Sequence, residues 1–177
     1  WLSTAGFSDF AGSTLVHACG GAAALAGVIV LGARSGRFTS QGGKRVMVPF
    51  AASSIPLTTL GTFLLWFGWF GFNGGSQLAV GGAELPFTTT HISAAAGLIA
   101  WGFIEYINEG KSTSVGMATG AVSGLVGVTP AAGFVNPASG MIIGLITSVL
   151  CYYSIKLKNK LQFDDSLGTF AVHGVGG

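Results

Sequence analysis

Long apolar stretches separated by short polar connections run the length of this chain. A membrane-crossing helix needs about 20 mostly apolar residues. Stretches of that kind fall near 10–33, 56–79, 87–107, 115–135 and 138–155, and a further one starts near 165. The longest polar connection is 33–48. The pattern predicts an all-α, polytopic integral membrane protein with about five spanning helices plus the start of a sixth.

The placement of charge tests that division. The chain has eight Lys and Arg residues. Arg34, Arg37, Lys44 and Arg45 lie in the first connection, Lys111 in the third, and Lys156, Lys158 and Lys160 in the fifth. The second connection (81–86) and the fourth (136–139) have none. Alternate connections share one side of a bilayer, so every positive charge falls on one face, which the positive-inside rule makes cytoplasmic. A missed helix would scatter the basic residues onto both faces. The Asp9 end then lies outside, the first helix runs inward, and the helix beginning near Asp165 runs outward.

Composition points the same way. Only 8% of residues are charged and 30 are glycine, whereas an ordinary soluble domain has about 25% charged residues. Glycine weakens soluble helices, but between membrane helices it lets backbones approach closely. Gly116, Gly120 and Gly124 recur every fourth residue, a close-packing face. Cys19 and Cys151 both lie in apolar stretches and read as packing residues without a bond or metal. The chain opens at Trp1 without an initiator Met and stops at Gly177 inside an apolar run, so it reads as part of a longer protein.

Two segments resemble each other. Asp9, Val16, His17, Gly20 and Gly21 recur as Asp165, Val172, His173, Gly176 and Gly177, at an offset of 156 residues. An odd number of helices fits in that offset, so the second copy points the opposite way, and inverted repeats are a common transporter architecture. A helix rises about 1.5 Å per residue, which sets each histidine about 12 Å from its own aspartate. One histidine descends from outside and the other ascends from inside, so both are expected near the middle of the membrane. Each could be a structural residue bonded to a neighbouring backbone, but ionisable groups at that depth usually mark a pathway. Asp165 reads as a helix cap. For Asp9, on the outer side, capping and attraction of a cation are compatible. His91, near the outer end of the third helix, has no partner by spacing and reads as a surface or interface residue.

The second span ends with several aromatic rings, Asn73 and Ser76 among glycines. An interfacial aromatic belt accounts for Trp66 and Phe67. The density of small residues around Trp69, Phe72 and Ser76 fits the lining of a narrow opening, where aromatic faces attract cations.

Asp9 to His17, residues 68–76, residues 124–134 and residues 164–174 together resemble, in order and spacing, the ammonium transporter (Amt/Mep/Rh) family, and closely its bacterial Amt branch. The resemblance covers essentially the whole chain. It implies the ammonium-transporter fold with its inverted repeat, of which this chain is the central part only. By resemblance, His17 and His173 match the paired pore histidines, and Phe72 matches one of two stacked phenylalanines closing the outer entrance. Ser76 matches the hydroxyl at the outer ammonium site, Trp69 a ring beside the pore, and Asp9 the acid below the vestibule.

The function so implied is transmembrane transport of ammonium or ammonia, with methylammonium as an analogue, rather than enzymatic catalysis. Ammonium is expected to dock at the aromatic and serine site, lose its proton, and pass the histidines as ammonia. Resemblance further implies a homotrimer in the lipid bilayer of the cell (inner or plasma) membrane, and a PII-type regulatory protein as a partner in many members. No cofactor, metal or nucleic acid is expected. One rival is an ammonium sensor using the same fold to signal through a fused or partner domain. Another, an intramembrane enzyme or metalloprotein built on the two histidines, lacks the three or four ligands a metal site usually needs.

Overall fold

The computed structural model describes all residues 1–177. Six helices and one hairpin make up the chain: α1 (Ser13–Leu31), β1 (Phe38–Gln41), β2 (Lys44–Met47), α2 (Ile55–Gly75), α3 (Glu84–Glu109), α4 (Ser114–Val128), α5 (Pro137–Lys160) and the short α6 (Phe170–Gly174). Of these, α1, α2, α3 and α5 are long and apolar enough to cross a membrane. The fourth expected span, 115–135, is divided. Helix α4 stops at Val128, and turns carry the chain on to Phe134. Thr129 still has helical dihedrals, and Pro130 explains the stop: it has no N–H to donate, and its ring crowds the carbonyl four residues back. In the other direction, α5 runs on to Lys160, beyond the expected end at 155.

Local chemistry starts the helices where the sequence places polar caps. Ser54 accepts a hydrogen bond from the Leu57 N–H ahead of Pro56. Thr113 accepts one from Gly116, and Asn136 one from Ser139 ahead of Pro137. Each satisfies a donor that the first helical turn leaves unpaired.

Helix α3 is the centre of the packing, between α4 and α5. Glycine makes this possible. A β-carbon at Gly124 or at Gly144 would lie 2.2 Å from the Ser93 carbonyl oxygen, and one at Gly120 would lie 2.4 Å from Trp101 Cβ. Backbones this close are stitched by hydroxyls: Ser93 donates to the Gly124 carbonyl at 2.8 Å and Ser148 to that of Gly97 at 2.7 Å. In lipid, contacts of this kind replace the hydrophobic drive between helices. By contrast, α1 and α2 are mostly exposed, with large apolar side chains such as Val30, Leu64 and Phe67 uncovered.

The connection 33–48 is not featureless. Strands β1 and β2 pair antiparallel, with Gln41 opposite Lys44, through a turn at Gly42 and Gly43. Both glycines have positive φ, 57° and 76°, as a two-residue turn compatible with strand twist requires. This hairpin, two strands in an otherwise helical chain, lies on the same face as the third and fifth connections. Arg34 pairs with Asp164, the Gln162 amide donates to the Arg45 carbonyl, and Lys156 pairs with Glu109.

Candidate functional site

Helices α1 and α6 begin in the same way. Gly12 and Gly168 precede them with positive φ, 106° and 67°. The first turns of α1 (Ser13–Ala18) and the whole of α6 wind as π-helix, the wide form often found at functional positions. Asp9 Oδ1 accepts from the Ser13 N–H at 2.8 Å and Oδ2 from Thr14 at 3.0 Å. Asp165 does the same one repeat later, with Thr169 and Phe170, both at 2.9 Å. Gly12 and Leu15 add two further N–H groups to Asp9. Both aspartates are therefore helix caps, and the four donors on Asp9 occupy its two oxygens.

Capping delivers the histidines to one another. His17 Nδ1 and His173 Nδ1 lie 3.1 Å apart, with ring centroids at 5.1 Å. The glycines that follow each histidine allow the approach. A β-carbon at Gly21 would lie 2.4 Å from the Gly174 nitrogen, and one at Gly177 would lie 2.9 Å from His17 Cβ. Ser13 supports the crossing from beneath, its hydroxyl within 3.2 Å of the Val126 carbonyl and 3.3 Å of the Gly177 carbonyl.

Aromatic rings enclose one side of the pair. Trp69 stacks on His17 at 5.1 Å and 17°, and Phe72 meets the same ring edge-on at 5.8 Å. Trp69 is itself buried, and its indole N–H donates to the Thr129 hydroxyl at 3.0 Å. The Nε2 atom of His17 is buried here without a partner. Ser76 follows the last residue of α2, one turn further outward than Phe72 and half-buried, its hydroxyl donating to the Phe72 carbonyl at 2.7 Å. That leaves its oxygen lone pairs free to accept. On the inner side, His173 lines a cavity of about 480 Å³ together with Trp101, Glu105, Tyr152, Lys158 and Thr169.

Of the six residues singled out in the sequence, His17, His173, Trp69 and Phe72 form one contiguous cluster. Ser76 joins it through Phe72, and Asp9 stands behind it as a cap. His91 lies apart, exposed beside Trp66 and Phe70. Sequence reasoning passed over Ser13 and Thr129. Both act through contacts more than fifty residues away, which no local pattern reveals; the sole hint is that Ser13 aligns with Thr169 in the repeat.

Residues 1–177 match the model of the Ammonium Transporter Family. The chain is 41% identical to an ammonium transporter of Bacillus subtilis, covering 100% of this chain and 42% of that protein. With the ammonium transporter Amt1 of Archaeoglobus fulgidus it shares 42% identity, over 100% of this chain and 43% of the relative. Among solved structures it resembles Saccharomyces cerevisiae Mep2, with a TM-score of 0.88 and 39% identity over 99% of this chain and 39% of that one. It also resembles a structure described as a Sensor Amt Protein, with a TM-score of 0.93 and 38% identity, covering 99% and 43% respectively. The chain thus spans about two-fifths of the length of these relatives.

Proposed function

Because this chain belongs to the ammonium transporter family, we propose that it supplies the central part of a pore that recruits ammonium outside and releases ammonia inside. The observation that carries the proposal is the His17–His173 contact, held between an aromatic enclosure and an inner cavity.

Ammonium resembles potassium in charge, so a pore that was merely cationic would leak. An unpaired ion in a low-dielectric conduit costs tens of kcal/mol before relaxation, whereas neutral ammonia escapes that cost. The cation docks beside the Phe72 ring, where the Ser76 oxygen accepts one of its N–H bonds. There it gives up one proton to the bare Nε2 of His17, leaving ammonia. Potassium has no proton to lose and stops at this point.

The histidine pair has a built-in polarity. At 3.1 Å the two Nδ1 atoms share a single proton, since one must donate and the other accept. When His17 donates, its Nε2 is a bare acceptor beside Trp69 and Phe72, and the proton of His173 sits on its own Nε2. Both roles reverse when His17 Nε2 takes up a proton, the shared proton shifts to His173 Nδ1 and His173 releases its Nε2 proton on the inner side. Neutral imidazoles therefore hydrogen-bond a passing ammonia from either direction without adding a fixed charge to the path.

Assembly as a homotrimer, residence in the cell membrane and regulation by a PII-type protein belong to the same proposal, on the strength of the family. A sensor reading is favoured by one specific observation, the likeness to the Sensor Amt Protein.

The test is uptake of labelled methylammonium by proteoliposomes holding the full-length protein. Saturable uptake, competed by ammonium and unaffected by potassium, supports transport. Tight ammonium binding with no flux supports the sensor instead.

A further inference from the structure

Asp164 and Asp165 are neighbours with different tasks. Asp165 caps α6, which carries His173. Asp164 faces the other way, and its side chain is only 1% exposed. It accepts the Arg34 backbone N–H at 2.9 Å, Arg34 Nε at 2.8 Å and Arg34 Nη2 at 2.7 Å. Arg37 Nε stands 3.3 Å away, and both guanidinium groups lie over the Phe50 ring. Arg34 follows the end of α1 at Leu31 by three residues. Consecutive carboxylates thus join the tail of the helix bearing His17 to the head of the helix bearing His173.

We infer that Asp164 is a positioning residue for the histidine pair, through its two-pronged bond to Arg34. The inference rests on the transport reading for its consequence, and on geometry for its substance. Where α1 and α6 cross, Gly21 meets Gly174 with no side chain on either. Such a contact fixes how near the helices come but leaves them free to rock. The Ser13 hydroxyl braces the outer side of the crossing through the Gly177 carbonyl, and the Asp164 clamp fixes the inner end.

The lever is short enough to matter. With about 1.5 Å of rise per residue, His17 lies about 6 Å from the Gly21 crossing and Leu31 about 15 Å from it on the other side. A slip of about 2 Å at the inner end becomes about 0.8 Å at His17, enough to stretch the 3.1 Å contact beyond hydrogen-bond range.

The experiment compares full-length wild type with Asp164→Asn, Asp164→Glu and Arg34→Gln in proteoliposomes. Each protein is also followed by nitrogen NMR of isotope-labelled histidines, which reads the Nδ1–Nδ1 bond whether or not ammonium is carried. The Asn variant keeps the size of the side chain but not its charge. Its maximal rate is expected to fall about ten-fold, with the apparent KM for methylammonium within about two-fold of wild type, because misplacing reacting groups by under an ångström has that scale of effect. The coupling between the two histidines weakens in parallel, and Asp164→Glu recovers part of both. Should Asp164→Asn fail to fold, Arg34→Gln, which leaves Asp164 its Arg37 neighbour, is judged by the same criteria. A folded variant with wild-type rate and an intact histidine bond overturns the inference. So does a rate that falls only in proportion to the folded fraction. A wild type that carries no ammonium but whose histidine bond weakens in Asp164→Asn defeats the transport reading and leaves the clamp standing.

Discussion

His17 and His173, 156 positions apart in the chain, place their Nδ1 atoms 3.1 Å from each other. Neither residue could reach the other from its own helix alone. Each is presented by a π-helical turn entered through a positive-φ glycine and capped by an aspartate eight residues upstream. Two copies of one device, inserted from opposite faces, meet tip to tip.

Asp9 tests whether that device is structural or electrostatic. Its two oxygens hold four backbone N–H groups, and losing a helix cap costs about 1–2 kcal/mol. Asp9→Ala is expected to lower unfolding stability by that amount and to slow transport with it. Asp9→Asn, with one oxygen left to accept, falls between. Parallel measurement of melting temperature and methylammonium uptake checks this. A full loss of rate at wild-type stability in Asp9→Asn would assign the residue to cation attraction instead.

Thr129 orients Trp69, whose indole N–H it accepts at 3.0 Å in a buried setting. Thr129→Val leaves that donor unpaired at a cost of about 1–3 kcal/mol. Trp69→Phe removes the donor, so the double variant is expected to be more stable than the sum of the single losses. A double-mutant cycle of chemical unfolding measures the coupling. Strict additivity would mean that the bond does not hold the ring.

The repeat was legible in the sequence because its spacing is forced. A cap, a π-turn and a close helix crossing each require a particular residue at a particular distance, so Asp9, His17 and Gly21 recur in step with Asp165, His173 and Gly177. The spans were legible because lipid demands long apolar runs. The end of α4 was obscured by hydropathy, which stays high beyond Val128, although Pro130 carried the contrary signal. The hairpin at 38–47 went unseen. Its glycine pair is a turn signal, but Phe38–Gln41 and Lys44–Met47 are too short and too polar to show strand alternation. Thr129 left no signal, and Ser13 only its alignment with Thr169 in the repeat, since their partners are set by tertiary packing.

Acid should weaken the inner clamp at a defined pH. Hydrogen bonds from Arg34 hold the Asp164 carboxyl down to about 2, against about 3.9 for a free aspartate. Arg34, Arg37 and Lys158 face it from the first connection and α5. Because the folded value lies below the unfolded one, the stabilisation is complete above about pH 4 and disappears as pH falls through about 2. The stability difference between wild type and Asp164→Asn is therefore expected to be flat from about pH 5 to 8 and to close in stronger acid. A difference that changes between pH 6 and 8 would point to another group.

The central claim is that an uncharged molecule crosses at the histidine pair, and ion selectivity of His17→Asp tests it most directly. Currents are recorded from supported membranes holding the full-length protein, with ammonium or potassium as the only permeant cation. Wild type is expected to respond to ammonium alone. His17→Asp, with a fixed negative charge beside Trp69 and Phe72 and no Nδ1 for His173, is expected to pass potassium as well. Ammonium currents in that variant that still exclude potassium would contradict the account.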